Sequence, residues 1–259
     1  MNDPLHTPAQ QATSIEKKIR RRTVFSFAVF VGLFIAGWFA WQWLYHSPGA
    51  ANDTNIHKPL RKILQGNERI FSTTFNENRL VKTFPKAAAA KQVRVNGSLG
   101  LGGGVDTVTW RLKVVCAPGD TMKLSLDELR QLPKTEIIFD FKCIEGWDQV
   151  SHWGGVKFSD FIAHYQLHRQ KTNKYIGLVT PDGQYYVGID MPSALQQQTL
   201  LCYEMNGQPL PMNQGYPLRL IIPVKYGIKH LKRIGMLFFS DTPPRDYWAE
   251  RGYDYYSGL

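Results

Sequence analysis

Residues 136–147 read Glu136-Ile-Ile-Phe-Asp-Phe-Lys-Cys143-Ile-Glu-Gly-Trp147. The first seven form an apolar, strand-like run. The rest is a turn that sets a thiol beside a carboxylate and an indole. A thiolate at the end of a strand is a soft donor for a transition metal, and Lys142 next to it favours the charged form. The competing reading of Cys143 is a small buried hydrophobe, the commonest fate of a lone cysteine.

A second stretch works with the first. Residues 215–233, Gly215-Tyr-Pro-Leu-Arg-Leu-Ile-Ile-Pro-Val-Lys-Tyr-Gly-Ile-Lys-His-Leu-Lys-Arg233, run a short apolar strand into a glycine-bearing turn crowded with cations. Arg219, Lys225, Lys229, Lys232 and Arg233 suit an anion, and Gly227 allows the backbone a close approach to a phosphate. A solvated basic face is the alternative. The apolar residues 220–224 argue instead for a buried strand carrying its cations to a set place.

Phe141–Trp147 (FKCIEGW), residues 201–211 (LCYEMNGQPLP) and residues 215–234, in that order, resemble the molybdopterin-binding domain of the sulfite oxidase superfamily. The nearest branch is the bacterial periplasmic one of methionine sulfoxide reductase catalytic subunits. The resemblance runs from about Trp110 to the C-terminal end. It implies an α+β fold with a mixed sheet and flanking helices, and a molybdenum-molybdopterin cofactor with Cys143 on the metal. It also implies that Arg219, Lys225, Tyr226, Gly227, Lys229 and Lys232 cradle the pterin phosphate.

Arg94 and Asn96 match, weakly, an arginine and asparagine near the pterin. A plain Asn96-Gly97 turn feeding the 102–104 glycine loop explains them equally well. Tyr185 or Tyr186 stands where the family has a substrate-pocket tyrosine after an Asp-Gly turn. Glu145 either relays a proton at the metal or pairs with Lys142 or Lys157.

The chain has 259 residues and a formal charge of +10. That charge does not mark a nucleic-acid binder, because five cations crowd residues 17–22, an anionic cofactor absorbs others, and no aromatic-interleaved basic stripe occurs. Cys116, Cys143 and Cys202 make no zinc spacing and no disulfide framework, although a single Cys116–Cys202 bridge stays open. His152, His164, His168 and His230 show no metal spacing. No CxxCH, flavin or nicotinamide motif is present, so electrons pass to or from another protein; family analogy points to a membrane cytochrome b or quinone-linked subunit. The expected activity is reduction of an S-oxide or N-oxide type small molecule. The alternatives are sulfite oxidation on the same fold and a cofactor-free binding or assembly factor.

Residues 24–45 are uncharged and long enough to cross a bilayer. Cations precede them and Trp38, Trp41, Trp43 and Tyr45 gather at their end, so residues 1–23 are expected in the cytoplasm and everything after 45 outside, on the inner membrane. An uncleaved anchor is favoured over a signal peptide, and Arg21-Arg22 forms a degenerate twin-arginine motif. Residues 46–92 read as a tether with short helices at 60–70 and 86–91, and residues 93–259 as the catalytic domain. Within the domain, strands are expected at 107–115, 137–141, 175–179, 185–189, 218–223 and 233–240. Helices are expected at 125–132, opened by a Ser125/Glu128 capping box, and at 157–168.

Overall fold

The computed structural model describes residues 8–47, 49–50, 53–75, 78 and 80–258. The chain divides between Leu60 and Arg61 into two compact units.

The first unit is dominated by one helix, α1 (Pro8–Tyr45), followed by a small antiparallel pair, β1 (Gly49–Ala50) and β2 (Asp53–His57). From Ile15 to Tyr45 α1 is long and apolar enough to cross a membrane, and none of its apolar stretch is buried. The expected span 24–45 lies inside it. The tether expected after it carries the small β pair, tied by a 2.6 Å contact between His57 Nδ1 and Ser47 O.

Helix α2 (Lys58–Thr74) opens at the end of the first unit and runs on into the second. The helix expected at 86–91 is a single 3₁₀ turn, Lys86–Ala88, because Ala90 N donates to Val150 O of a strand at 3.0 Å and is lost to the helical ladder.

Two five-stranded sheets form the second unit. Strands β3 (Leu112–Ala117), β4 (Asp120–Leu124), β7 (Tyr175–Val179), β8 (Tyr186–Asp190) and β12 (Met236–Ser240) make one, in the order β4-β3-β12-β7-β8, with β3 and β12 parallel. The other holds β5 (Lys134–Lys142), β6 (Asp148–Lys157), β9 (Leu200–Met205), β10 (Gln208–Pro209) and β11 (Arg219–Ile221), all antiparallel, in the order β10-β9-β6-β5 with β11 also on β9. Helices α3 (Leu126–Arg130), α4 (Phe158–His164) and α5 (Met191–Leu195) flank them.

The single mixed sheet expected from the sequence is thus corrected to two. Residues 218–223 and 233–240 part company at Arg233, whose φ of +51° turns the chain, so β11 joins β9 and β12 joins β3 and β7. The strand expected from 107 starts only at Leu112: Asp106 accepts from Val108 N and Thr109 Oγ1, both at 2.9 Å, and holds a turn there. The Ser125/Glu128 capping box is present. Helix α4 buries Phe158, Phe161 and Ile162 and stops before Gln166, which has φ +53°.

Strand β6 had no counterpart in the sequence reading. Its Gly154-Gly155 pair hides the strand pattern, yet Gly155 is required: a Cβ there would stand 2.2 Å from Leu201 O of β9, at a register shift. One buried cluster between the sheets includes Leu112, Val114, Phe158, Phe161, Leu178 and Leu237. A second, with Ile137, Phe139, Phe141, Trp153 and Ile221, underlies the region where Cys143 sits.

Candidate active site

Strands β5 and β6 pair from Lys134↔Val156 to Lys142↔Asp148, so Cys143–Trp147 is their hairpin loop. Cys143 N donates to Trp147 O at 2.8 Å and Gly146 N to Cys143 O at 3.1 Å; Gly146 has φ +87°, a conformation that costs glycine nothing. The hairpin drops Cys143, 2% exposed, into a cleft. Asn96, Leu99, Ile144, Glu145, Tyr185 and Trp248 line it, as do Arg219, Gly227, His230, Lys232 and Tyr253. A narrower recess adjoins it, sharing Asn96, Phe141, Arg219 and Lys232 and adding Arg94, Trp147, Trp153 and Gln214.

Asn96 Nδ2 donates to Cys143 Sγ at 3.1 Å. The turn that aims it, with Gly97 at φ +61°, is held by Lys232, whose Nζ donates to Asn96 O at 2.5 Å and Gly97 O at 2.9 Å. The Asn-Gly turn and the site residue are therefore the same feature. Lys142 does not activate the thiol: its ammonium pairs with Asp140 at 3.1 Å, and burial pushes the Cys143 pKa up. The free thiol is therefore protonated, and bonding to a metal ion is what would make it a thiolate.

Arg219 lies flat over Trp153, 4.6 Å from the ring centroid, with Nη1 donating to Gln214 O at 3.1 Å and to its Oε1 at 2.9 Å. Among the described residues its buried Nε has no hydrogen-bond partner, and no carboxylate pairs with Arg219 or Lys232. Burial lowers Arg219 to about 10 and Lys232 to about 7, the latter helped down by Arg219 itself. Two desolvated cations and an unmet N–H donor beside a buried thiol form a site short of an anion and able to bind a soft metal. The chain's own donors go no further: among the described residues no group of three or more His, Cys, Asp or Glu side chains could hold a metal. A cofactor that brings its own sulfur ligands and a phosphate fits this donor set. Cys143 would bind its metal, and Arg219 and Lys232 would face its charge.

The remaining expected residues divide. Glu145 is exposed at the cleft and accepts from Trp147 Nε1 at 3.0 Å, pairing with neither Lys142 nor Lys157. Arg94 stacks on Trp147 at 4.5 Å. Tyr185 faces the cleft with its hydroxyl on Ile228 O at 2.5 Å, and burial raises its pKa; Tyr186, one residue on, points away to Glu250 and Arg245. Lys225 and Lys229 do not line the cleft: each is 1% exposed and ion-paired, Lys225 with Asp190 at 2.7 Å and Lys229 with Asp246 at 2.5 Å. Tyr226 is outside the cleft, its amide bonded to Ser257 O at 3.0 Å. Gly227 does line the cleft, but the close approach it permits is to Phe141, whose ring would stand 2.9 Å from a Cβ. All three cysteines are free, so the Cys116–Cys202 bridge is absent.

The sequence reading passed over Gln214, Trp153, Trp248 and Tyr253. Gln214 also donates to Val93 O and Arg94 O, tying the Arg94 segment to Arg219. His230, buried between Phe139 and Phe141, accepts from Ile222 N at Nδ1 and bonds Lys225 O through Nε2; burial lowers its pKa to about 3, so it is a neutral wall residue.

Comparison with known proteins shows the family. Residues 102–248 match the model of the oxidoreductase molybdopterin binding domain. The chain is 31% identical to "Putative protein-methionine-sulfoxide reductase subunit YedZ1" of Azospira oryzae, over 80% of this chain and 79% of that protein. It is also 32% identical to the protein-methionine-sulfoxide reductase catalytic subunit MsrP of Xanthomonas campestris (54% of this chain, 48% of that one). The mitochondrial sulfite oxidase of Rattus norvegicus is 31% identical, over 59% of this chain and 33% of its own. This chain belongs to the oxidoreductase molybdopterin-binding domain family, and it is an oxidoreductase with the sulfite-oxidase-like fold and a molybdenum-molybdopterin cofactor.

Proposed function

We propose that this protein is a membrane-anchored reductase of neutral S-oxides or N-oxides, working outside the cytoplasm with electrons from a membrane partner. One observation carries the reading: the cleft wall around Cys143 is Leu99, Ile144, Tyr185, Trp248 and Tyr253, with Glu145 as its acidic side chain, while its two cations, Arg219 and Lys232, would be taken up by the cofactor's charge. A sulfite-like dianion would have to settle beside that carboxylate. A neutral sulfoxide would lay its apolar groups on the aromatic wall and present its oxygen inward.

The bound cofactor supplies two-electron oxygen-atom transfer at molybdenum. The protein's part is placement. Asn96 orients Sγ of Cys143 through its 3.1 Å contact, and Arg219 and Lys232 hold the anionic end. The Trp147 indole fixes Glu145, which would relay a proton from solvent to the oxygen leaving the substrate. The overall change is R₂SO + 2 e⁻ + 2 H⁺ → R₂S + H₂O. Arg94 over Trp147 favours a second reading, sulfite oxidation, by adding positive charge at the turn. The names of two relatives, methionine-sulfoxide reductase subunits, weigh toward reduction.

Anchoring rests on α1, with Lys17, Lys18 and Arg20–Arg22 before the apolar run and four aromatics at its end, a charge pattern that supports a catalytic domain outside the cytoplasm. The sequence holds no haem or flavin motif of its own, which leaves the electrons to a cytochrome b or quinone-linked subunit.

Full-length, cofactor-loaded protein is expected to reduce methionine sulfoxide or trimethylamine N-oxide with reduced viologen, and to give no sulfite-dependent reduction of ferricyanide. Cys143→Ser is expected to abolish turnover with an unchanged circular dichroism spectrum. Sulfite oxidation without oxide reduction would overturn the substrate reading, and an active Cys143→Ser enzyme would remove Cys143 from the metal.

A further inference from the structure

We propose that α2 lies in the surface of the same bilayer that α1 crosses, seating an apolar stripe among the lipid chains, with the cations of its polar face attracted to anionic headgroups. The inference rests on the anchored reading above.

Leu60, Ile63, Leu64, Ile70 and Phe71 recur at helical spacing and fall on one face of α2. Ordinarily such a stripe packs on the helix's own domain. Here no residue of α2 is buried, and Ile63 and Ile70 are each 61% exposed, with Phe71 at 53%. The helix is held to the domain by its polar edge instead. Arg61 Nη2 donates to Ala249 O at 2.5 Å and Nη1 to Tyr253 O at 3.3 Å, while Glu68, one helical face along, is partly buried near Asp254 and Lys229. Leaving such a stripe in water forfeits about 1.5–3 kcal/mol for each large side chain, so an apolar phase outside the domain is the natural cover.

Two observations identify that phase as lipid. Only residues 46–57 separate the end of α1 from the start of α2, a reach of about 40 Å even when fully extended, so α2 stays near the membrane surface. Lys58, Lys62 and Arg69 fall on the polar face opposite the stripe, whereas the helix's one acid, Glu68, is on the edge turned to the domain. A basic, strongly amphipathic helix is the form that binds anionic interfaces. The placement has a consequence for catalysis. Arg61 grips Ala249 and Tyr253, and Trp248 and Tyr253 wall the cleft, so a seated α2 would set which way the Cys143 cleft faces relative to the membrane and the electron partner.

The test uses the full chain reconstituted in phosphatidylcholine vesicles with and without a minority of phosphatidylglycerol. The photoreactive residue p-benzoylphenylalanine is placed singly at Ile63, Ile70, Gln65, Ser72 and, inside α1, Phe30. Lipid adducts are expected at Phe30, Ile63 and Ile70, several-fold above those at Gln65 and Ser72. The Ile63 and Ile70 signals are expected to rise with phosphatidylglycerol and fall with added salt. Lipid adducts at Phe30 but none above the Gln65 level on the stripe would overturn the surface helix and leave the anchor standing. Adducts of Ile63 or Ile70 to a second copy or another protein, in place of lipid, would overturn it in favour of a protein interface. No adduct at Phe30 either would take the anchored reading down with it.

Discussion

Lys229 and Lys232 are three residues apart and both largely buried, yet they do opposite things. Lys229 meets Asp246 in a closed ion pair and sits 4.5 Å above the ring of Tyr255; Lys225 repeats the arrangement with Asp190 and Tyr256. Among the described residues Lys232 and Arg219 meet no carboxylate, and bond instead to carbonyls, an amide and an indole face. One pair is neutralised from within by α5's cap residue and the C-terminal arm. The other is left with its charge facing a cleft. The contrast teaches that a cluster of cations does not define an anion site; the places where counter-charges are withheld do.

The sharpest way to break this division is Arg219→Met, which keeps bulk over Trp153 and removes the charge. Molybdopterin and molybdenum content is expected to fall to near zero while the apo-protein unfolds at an unchanged or higher temperature, since a desolvated cation has gone. Retained cofactor would show that Arg219 does not face it. Lys229→Met should behave in the reverse sense. It strands the buried Asp246 carboxylate and is expected to cost about 3–5 kcal/mol, roughly 10 °C in melting temperature, with the double change Lys229→Met/Asp246→Leu recovering much of that. Loss of cofactor from a stable Lys229→Met protein would erase the division.

The smallest effect is in pH. The Lys232 pKa falls from 10.5 to about 7 on folding, so between those values the unfolded chain binds more protons than the folded one. The apo-protein's stability is therefore expected to rise with pH across that window and to level off below about 7. Lys225, lowered to about 8 by burial, adds to the same slope. Urea melts at several pH values should show a shallower rise for Lys232→Met, and a shallower one again for cofactor-loaded wild type, because a bound anion restores the ammonium. An identical slope in apo Lys232→Met would mean that its ammonium is not penalised in the fold.

Much of the site was legible before any coordinates. The turn at Cys143 carries its own signal, a strand-like run ended by a glycine-bearing loop, and Tyr175–Val179 and the Ser125 capping box were readable from local pattern alone. What misled was longer-ranged. Lys142 stands beside Cys143 in sequence but faces Asp140, because neighbours on a strand point to opposite sides. Tyr185 and Tyr186 could not be ranked until the register of β8 put one in the cleft and the other on Glu250. Trp248 and Tyr253 belong to the C-terminal segment, which carries no local signal of its own, and only its return past β8 brings it to the cleft.

Sequence alone thus offered the candidates for the chemistry of this chain, the thiol and the basic turn, and the apolar helix at the start. Those depend on residue type and on spacings of a few positions, where backbone geometry leaves little choice. Tertiary structure alone decided which cations face the cleft, since a carboxylate dozens of residues away, Asp190 or Asp246, settles whether a buried lysine is spent or available. It likewise decided that α2 turns its polar edge to the domain and its apolar stripe outward, because burial is a property of what packs against a helix and not of the helix itself.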